Sequence, residues 1–446
     1  MASQGIEIRM YLSKNISTPP EVIAELAKDE YYYIREEVAR NPSTPQEVLA
    51  ELAKDEDRAV RRAVAISPYT SPKVLADMAK TLNIGDVFDV AENPNTPPEV
   101  LVELVKAAGE QVGLRDIRGA AAKNPGISPE LLTEMSKNED YKIRVCVALN
   151  PSTPPETLVR LTNSDPDARK FVAQNPSTPP ELLEELAKDE NNEVREEVAD
   201  NPNTPPKVLT ELAKDKDEWV RATVAEHPNT PPKILIELAK DKVECVRYYT
   251  ASNSNTPPEV LVELAKDKKW DVHKSVAENS NTPPETLAEL AELGTDDTLL
   301  GNGFGSGTRD AVALNHNTPP EALAKLAKDE NYRVCWYVAE NPNTSPETLT
   351  ELAKYKNSSV RQGVAKNPNT PPEVLAELAK DKDWRVREAV MWNHNAPKEE
   401  NKDTPYLAKT EEGFKLSDSL DSLLSGMSKK HGSTGRSEPS REQKDR

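Results

Sequence analysis

A heptapeptide close to Asn-Pro-Asn-Thr-Pro-Pro-Glu recurs along almost the whole chain and constrains the fold more than any other feature. Its copies begin at Asn15, Asn41, Ser67, Asn93, Asn124, Asn150, Asn175, Asn201, His227, Asn253, Asn279, Asn315, Asn341, Asn367 and Asn393. Eleven of the fourteen intervals are 26 residues; the others are 25, 31 and 36. A fixed period of this size means stacked units, each too small to bury its own apolar face. The pattern predicts a solenoid over residues 5–395 with about 14 repeats, where length alone would suggest roughly three globular domains. Most of the 38 prolines fall at one phase of the repeat and act as punctuation.

The repeat from Asn367 to Asn393 shows the local logic. Thr370 precedes Pro371-Pro372-Glu373, and Val374, Leu375, Leu378 and Ala379 then form one helical stripe. Thr as N-cap with Glu three residues on predicts a capping box, with proline in the first turn where amides lack intrahelical partners. Thr holds this phase in thirteen of fifteen copies, and Glu or Lys stands three residues later in all. Glu373, Glu377, Lys380 and Asp381 fall opposite the stripe and are expected on a solvated face. A shorter second helix, or only a turn or two of 3₁₀, is predicted from Asp383 through Val390. Asn393 should end it in the left-handed conformation.

The segment Leu-Ala-Lys-Asp, then Val-Arg, Val-Ala and Asn-Pro-Asn-Thr-Pro-Pro-Glu, resembles the leucine-rich repeat variant family. The clearest copies are Asn175–Ala199, Asn201–Ala225 and Asn367–Val390. The resemblance implies an all-α, right-handed superhelical solenoid of alternating α and 3₁₀ helices. The repeat here exceeds the family's usual length of nearer 24 residues, which points toward a fuller second helix of the HEAT kind. The family's iron–sulfur member has a cysteine-rich N-terminal segment; no cysteine precedes Cys146 here, so no cluster is expected.

The formal charge is −19, and residues 398–446 carry ten acidic and ten basic side chains, so the excess belongs to the repeats. An acidic surface repels phosphate backbones and anionic membranes, which argues against nucleic-acid and membrane partners. No stretch approaches the roughly 20 apolar residues of a membrane helix, and the N-terminus lacks a signal-peptide pattern. Cys146, Cys245 and Cys335 stand at different phases of different repeats, which implies three reduced thiols and a cytoplasmic protein. The five histidines are scattered without metal-ligand spacing. No catalytic, cofactor or metal set is expected.

An arginine stands six residues before twelve of the fifteen motifs, the exceptions being Val87, His273 and Cys335. A guanidinium ladder for an anionic polymer is one reading. The preferred one is structural: each stem folds over its layer and the head bonds carboxylates or carbonyls of an adjacent repeat. Specificity should then lie where repeats differ, at the two positions after that arginine. Most copies carry small or charged residues there, but Phe88, Phe171, Tyr248-Tyr249 and Trp336-Tyr337 are aromatic. Exposed aromatics are enriched among interface hot spots, whereas aromatics filling space between layers would be structural.

The 36-residue interval holds a Gly-rich insertion, 294–307, which lacks the context of a phosphate loop and reads as a surface loop. Its Phe304 and Leu299-Leu300 are candidate contacts, since insertions often gather on the binding face. The 31-residue interval suggests a lengthened connection around Ala107–Leu114. Residues 396–446 read as a linker and a short amphipathic helix (Phe414, Leu416, Leu420, Leu423, Leu424, Met427), then a disordered tail from Lys429. The functional expectation is a non-enzymatic scaffold that binds proteins along a curved acidic surface. Its candidate contacts are Phe171, Tyr248, Tyr249, Phe304, Trp336 and Tyr337. The alternative is an enzyme on a HEAT-like scaffold, a base glycosylase or chromophore lyase.

Overall fold

The computed structural model describes residues 2–80, 84–108, 115–293 and 307–396, the side chains of residues 2–4, 84, 85 and 115 excepted. Phe304, Leu299-Leu300, most of the Gly-rich insertion, residues 109–114 of the longer connection and the segment from 397 onward lie outside the described residues. Among those described there are 29 α-helices, one 3₁₀ turn at Pro166–Ala168 and no strand. The helices come in repeating pairs, and the fold is an all-α solenoid. The chain divides into two compact units, Met1–Ser345 and Pro346–Arg446.

In the first unit one repeat builds as follows. Pro179 is extended (φ −61°, ψ 148°) and Pro180 opens a seven-residue helix, Pro180–Leu186, whose Leu182, Leu183 and Leu186 are buried. A proline here gives up only an amide that the first turn would leave unpaired. A tight turn through Lys188 and Asp189 leads to a nine-residue helix, Asn192–Asp200, which buries Val194, Val198 and Ala199. Asn191 caps it by accepting the Glu193 amide. Successive nine-residue helices pack against one another more closely than successive seven-residue helices do. The layers are thin, made of Val, Leu, Ile and Ala. The second unit repeats the scheme with Pro346–Leu352, Ser358–Lys366, Pro372–Leu378 and Trp384–Met391.

Three details of the motif differ from the sequence expectation. Threonine is not the N-cap: the first proline occupies that position, with no side-chain cap bond, and the Thr hydroxyl turns back to the preceding helix. Thr178 Oγ1 donates to the Val172 carbonyl at 2.5 Å, Thr44 to Val38 at 2.6 Å and, in the second unit, Thr370 to Val364 at 2.6 Å. It therefore ends one helix rather than starting the next. Where Ser128 replaces the first proline it does cap, accepting the Leu131 amide, and Ile127 fills the Thr position with an apolar side chain.

The motif asparagine is not left-handed either. Asn41, Asn175 and Asn201 are extended, with φ of −72°, −68° and −65°. Each uses its amide between repeats, and Asn393, the example cited above, does the same. Finally, the second helix is a full α-helix. Among the described residues the 3₁₀ alternation implied by the resemblance is seen at Pro166–Ala168 alone, and the fuller second helix to which the longer repeat pointed is what forms. A side-chain cap at the start and a Val pair spaced i, i+4 carry nine residues through as α.

Candidate functional site

What a solenoid offers a partner depends on which polar groups the stack itself consumes. Asn201 Nδ2 donates to the carbonyls of Ala173 (2.6 Å) and Asn175 (2.9 Å), one repeat back, while its Oδ1 accepts the Asn203 amide (3.0 Å). The same three bonds recur at Asn150, Asn253, Asn279, Asn315 and Asn341. His227 takes this place with its ring. Nδ1 accepts the Asn229 amide at 3.1 Å, so Nε2 carries the proton and donates to the Asn201 carbonyl at 3.1 Å. The histidine is part of the stack.

The arginines are consumed as well. Arg195 Nε and Nη2 donate to the two carboxylate oxygens of Asp215 in the next repeat, at 2.6 and 2.8 Å, and Nη1 donates to the Asp189 carbonyl at 2.8 Å. Such a planar two-point bond is the strong form of the pair. Arg35–Asp55, Arg221–Asp241 and Arg247–Asp267 repeat it, as does Arg361–Asp381 in the second unit. Asp381, expected on a solvated face, is thus an inter-repeat partner. Burial pushes the carboxyls of Asp55, Asp215, Asp241 and Asp267 up. The guanidinium bond and the backbone amide two residues on outweigh it, so each ends below the usual range. For Asp381 the Arg361 bond is the leading influence, in the same direction. The arginines are correspondingly raised, first by these bonds.

The exceptions agree with this structural role. Counting twenty residues on from Val87, His273 and Cys335 gives Ala107, Leu293 and Tyr355, so wherever the arginine is missing the aspartate is missing too. Four arginines also lack an aspartate at that count: Arg61 and Arg144 pair instead with Asp86 and Asp165, Arg387 meets Leu407, and Arg118 meets Asn138, its buried Nε having no hydrogen-bond partner among the described residues. A ladder whose donors are already bonded is not available to an anionic polymer.

The repeat-to-repeat variation gathers on the outer stripe of the nine-residue helices, at positions −8, −5, −4 and −1 counted back from the next motif, while the seven-residue helices keep exposed charges such as Glu181 and Glu185. Five of the six aromatic candidates, Phe171, Tyr248, Tyr249, Trp336 and Tyr337, lie at these positions, Phe171 on the shorter helix Arg169–Gln174, and are half-buried rather than exposed. Phe171 and Tyr249 pack against the core. Tyr248 and Tyr249 meet edge to face at 5.1 Å, and Trp336 and Tyr337 lie tilted at 4.8 Å. The candidates stay in their separate repeats. Phe304 lies outside the described residues.

Sequence reasoning missed two patterns in these helices. Adding the 66%-exposed Tyr11, the aromatics at positions −5 and −4 (Tyr11, Phe88, Phe171, Tyr248-Tyr249, Trp336-Tyr337) belong to the first, fourth, seventh, tenth and thirteenth motif copies. They recur every third layer, on the order of 30 Å apart at the usual spacing of packed helices. The signal was in the sequence once Tyr11 is aligned with the others. A second row opens the nine-residue helices: Tyr32, Tyr141, Trp270 and Tyr332 at position −9, with Trp219 one place on, all exposed. Among the described residues no group of three or more His, Cys, Asp or Glu is placed to hold a metal ion, and no helix is long and apolar enough to cross a membrane.

Residues 145–200 match the Leucine Rich Repeat Variant domain model, and residues 33–57 and 359–383 match the leucine rich repeat variant model. A solved structure described as a leucine-rich repeat variant with a novel repetitive protein structural motif is 26% identical over 54% of this chain and 84% of its own, with a TM-score of 0.29. An engineered protein is 18% identical over 83% of this chain and 97% of its own, with a TM-score of 0.17. A structure of Kap95p with RanGDP is 11% identical over 85% and 55%, with a TM-score of 0.29. A search of curated proteins found no match.

Proposed function

We propose that this array of leucine-rich repeat variant units is a non-enzymatic scaffold that holds protein partners along the outer stripe of its nine-residue helices. One observation carries the reading. The polar groups that follow the repeat, Asn, Thr, Arg and Asp, are spent on holding layers together, while the stripe varies from copy to copy and bears aromatics in every third one. A uniform surface could not select a partner; rigid half-buried rings beside charged side chains can, because few rotamers are lost on binding. The net charge of −19 favours protein partners over phosphate-bearing polymers. Three free thiols fit the reducing cytoplasm as the working compartment.

The test replaces Trp336 and Tyr337 by Ala in the full chain and compares capture of cytoplasmic proteins by quantitative mass spectrometry, with circular dichroism alongside. The reading expects at least one saturable partner lost and the helical signal unchanged. Absence of any saturable partner for the unaltered chain would refute it.

A further inference from the structure

We infer that the outer stripe of Asn192–Asp200, Glu218–Glu226 and Glu244–Ser252 is a docking face for an arginine-bearing polypeptide segment. The inference rests on the scaffold reading and adds the chemistry of the partner. The three helices belong to the first unit and pack side by side. Each buries positions −7, −3 and −2, and the outer stripe is formed by −8, −5, −4 and −1, of which Ala222 in the middle helix is also buried.

Across those twelve positions stand five carboxylates, Glu193, Glu196, Glu197, Asp200 and Glu226, and no lysine or arginine. The arginines of these helices are turned aside, each bonded to an aspartate of the next repeat. Lys170 reaches Glu193 at 3.0 Å and Glu197 at 3.6 Å from the preceding repeat. Among the described residues Glu196 has no ion-pair partner. It is half-buried beside Glu197. Burial first, and then the charges of Glu197 and Asp217, hold its carboxyl above the ordinary range. Like charges gathered on a half-buried face oppose one another, and a cation laid across them relieves that repulsion.

Beside the carboxylates the face turns aromatic. Trp219 is 53% exposed, and the Tyr248-Tyr249 pair lies on the adjoining helix. Glu226 is near enough for its charge to act on Tyr249. Between them stand two small residues, the buried Ala222 and the half-buried Thr223. A guanidinium suits this mixture better than an ammonium, since it meets a carboxylate at two points and stacks flat on a ring. A phosphate-bearing polymer would be repelled by the same carboxylates. Three helices at the usual spacing give a face about 20 Å across, which an extended segment crosses in about six residues. The occupant is therefore a segment with arginines roughly six residues apart, one set over Glu196-Glu197 and the other over Trp219 and Tyr248.

The experiment titrates the full chain into a fluorescein-labelled peptide carrying two Arg-Arg pairs about six residues apart in a Ser/Gly background, and into its Lys and Glu counterparts. Fluorescence anisotropy is read at about 50 mM and about 500 mM salt, either side of the screening range. Saturable binding is expected for the arginine peptide, weaker for lysine, absent for glutamate, and reduced by salt. The pair Glu196→Gln/Glu197→Gln should weaken it about tenfold or more and Trp219→Ala about fivefold. Glu181→Gln/Glu185→Gln removes the same charge from the seven-residue helix of the same repeat and should leave binding unchanged. Equal loss in both pairs, no loss in the first, or no binding by the unaltered chain overturns the assignment. So does a change in oligomeric state on Glu196→Gln/Glu197→Gln without peptide binding, which would make the occupant a second copy. If the peptide fails while the Trp336/Tyr337 variant still loses a saturable protein partner, only this assignment falls.

Discussion

Replacing Asn201 by Ala tests how the layers are held. Asn201 is 2% exposed and makes three bonds: two donated to the Ala173 and Asn175 carbonyls and one accepted from the Asn203 amide. A buried polar group left without its partner costs about 1–3 kcal/mol, and truncation strands two buried carbonyls, while the amide of the exposed Asn203 turns to water. The Asn175 carbonyl still accepts the Thr178 amide, which places the total near the lower end, about 3 kcal/mol. An array of this length does not unfold in one step, so the effect is better read locally, by hydrogen exchange on the full chain. Amides of Pro180–Leu186, Asn192–Asp200 and Pro206–Leu212 should exchange about 100-fold faster, the equivalent of roughly 3 kcal/mol. Asn203→Ala, which removes one exposed bond to the Pro176 carbonyl, should change them little. Asn201→His should fall between, because His227 shows that imidazole keeps one donated and one accepted bond. Equal effects of Asn201→Ala and Asn203→Ala would refute the idea that the asparagine joins the layers.

Two further outcomes follow from the Arg–Asp pairs. Asn138→Asp should supply the carboxylate that Arg118 lacks and stabilise the surrounding layers by about 1.5–3 kcal/mol, the usual value of a hydrogen bond to a charged group; slower local exchange would show it. The paired aspartates titrate below their unfolded value of about 3.9, so their stabilisation is complete above that pH. It is lost as pH falls from there through the lower folded values. Stability against urea should therefore drop below about pH 4, and less steeply in a chain carrying Asp215→Asn and Asp241→Asn.

Much of the fold was legible because a period exposes what a single domain hides. Pairs of helices, the proline punctuation and the Val and Leu stripes all followed from spacing. The roles of the loop residues did not. Threonine followed three residues later by Glu is the signature of a capping box, but a proline can serve as the extended N-cap residue without any side-chain bond. The hydroxyl was then free to bond backward. Nor does asparagine at a helix end distinguish a left-handed residue from an extended one whose amide reaches the neighbouring layer. The aspartate partner of the arginine lay twenty residues away, within a surface that looked merely charged, and its signal was its absence wherever arginine was absent. The outer stripe was partly legible: its aromatic pairs stood out, whereas their three-layer spacing required aligning Tyr11 with them.

The measurement that bears most directly on the scaffold account is hydrogen exchange of the full chain with and without a captured protein partner. Protection is expected on the nine-residue helices that carry the aromatics and carboxylates, with the seven-residue helices unchanged. Protection confined to the seven-residue helices, or to the motif loops, would contradict it.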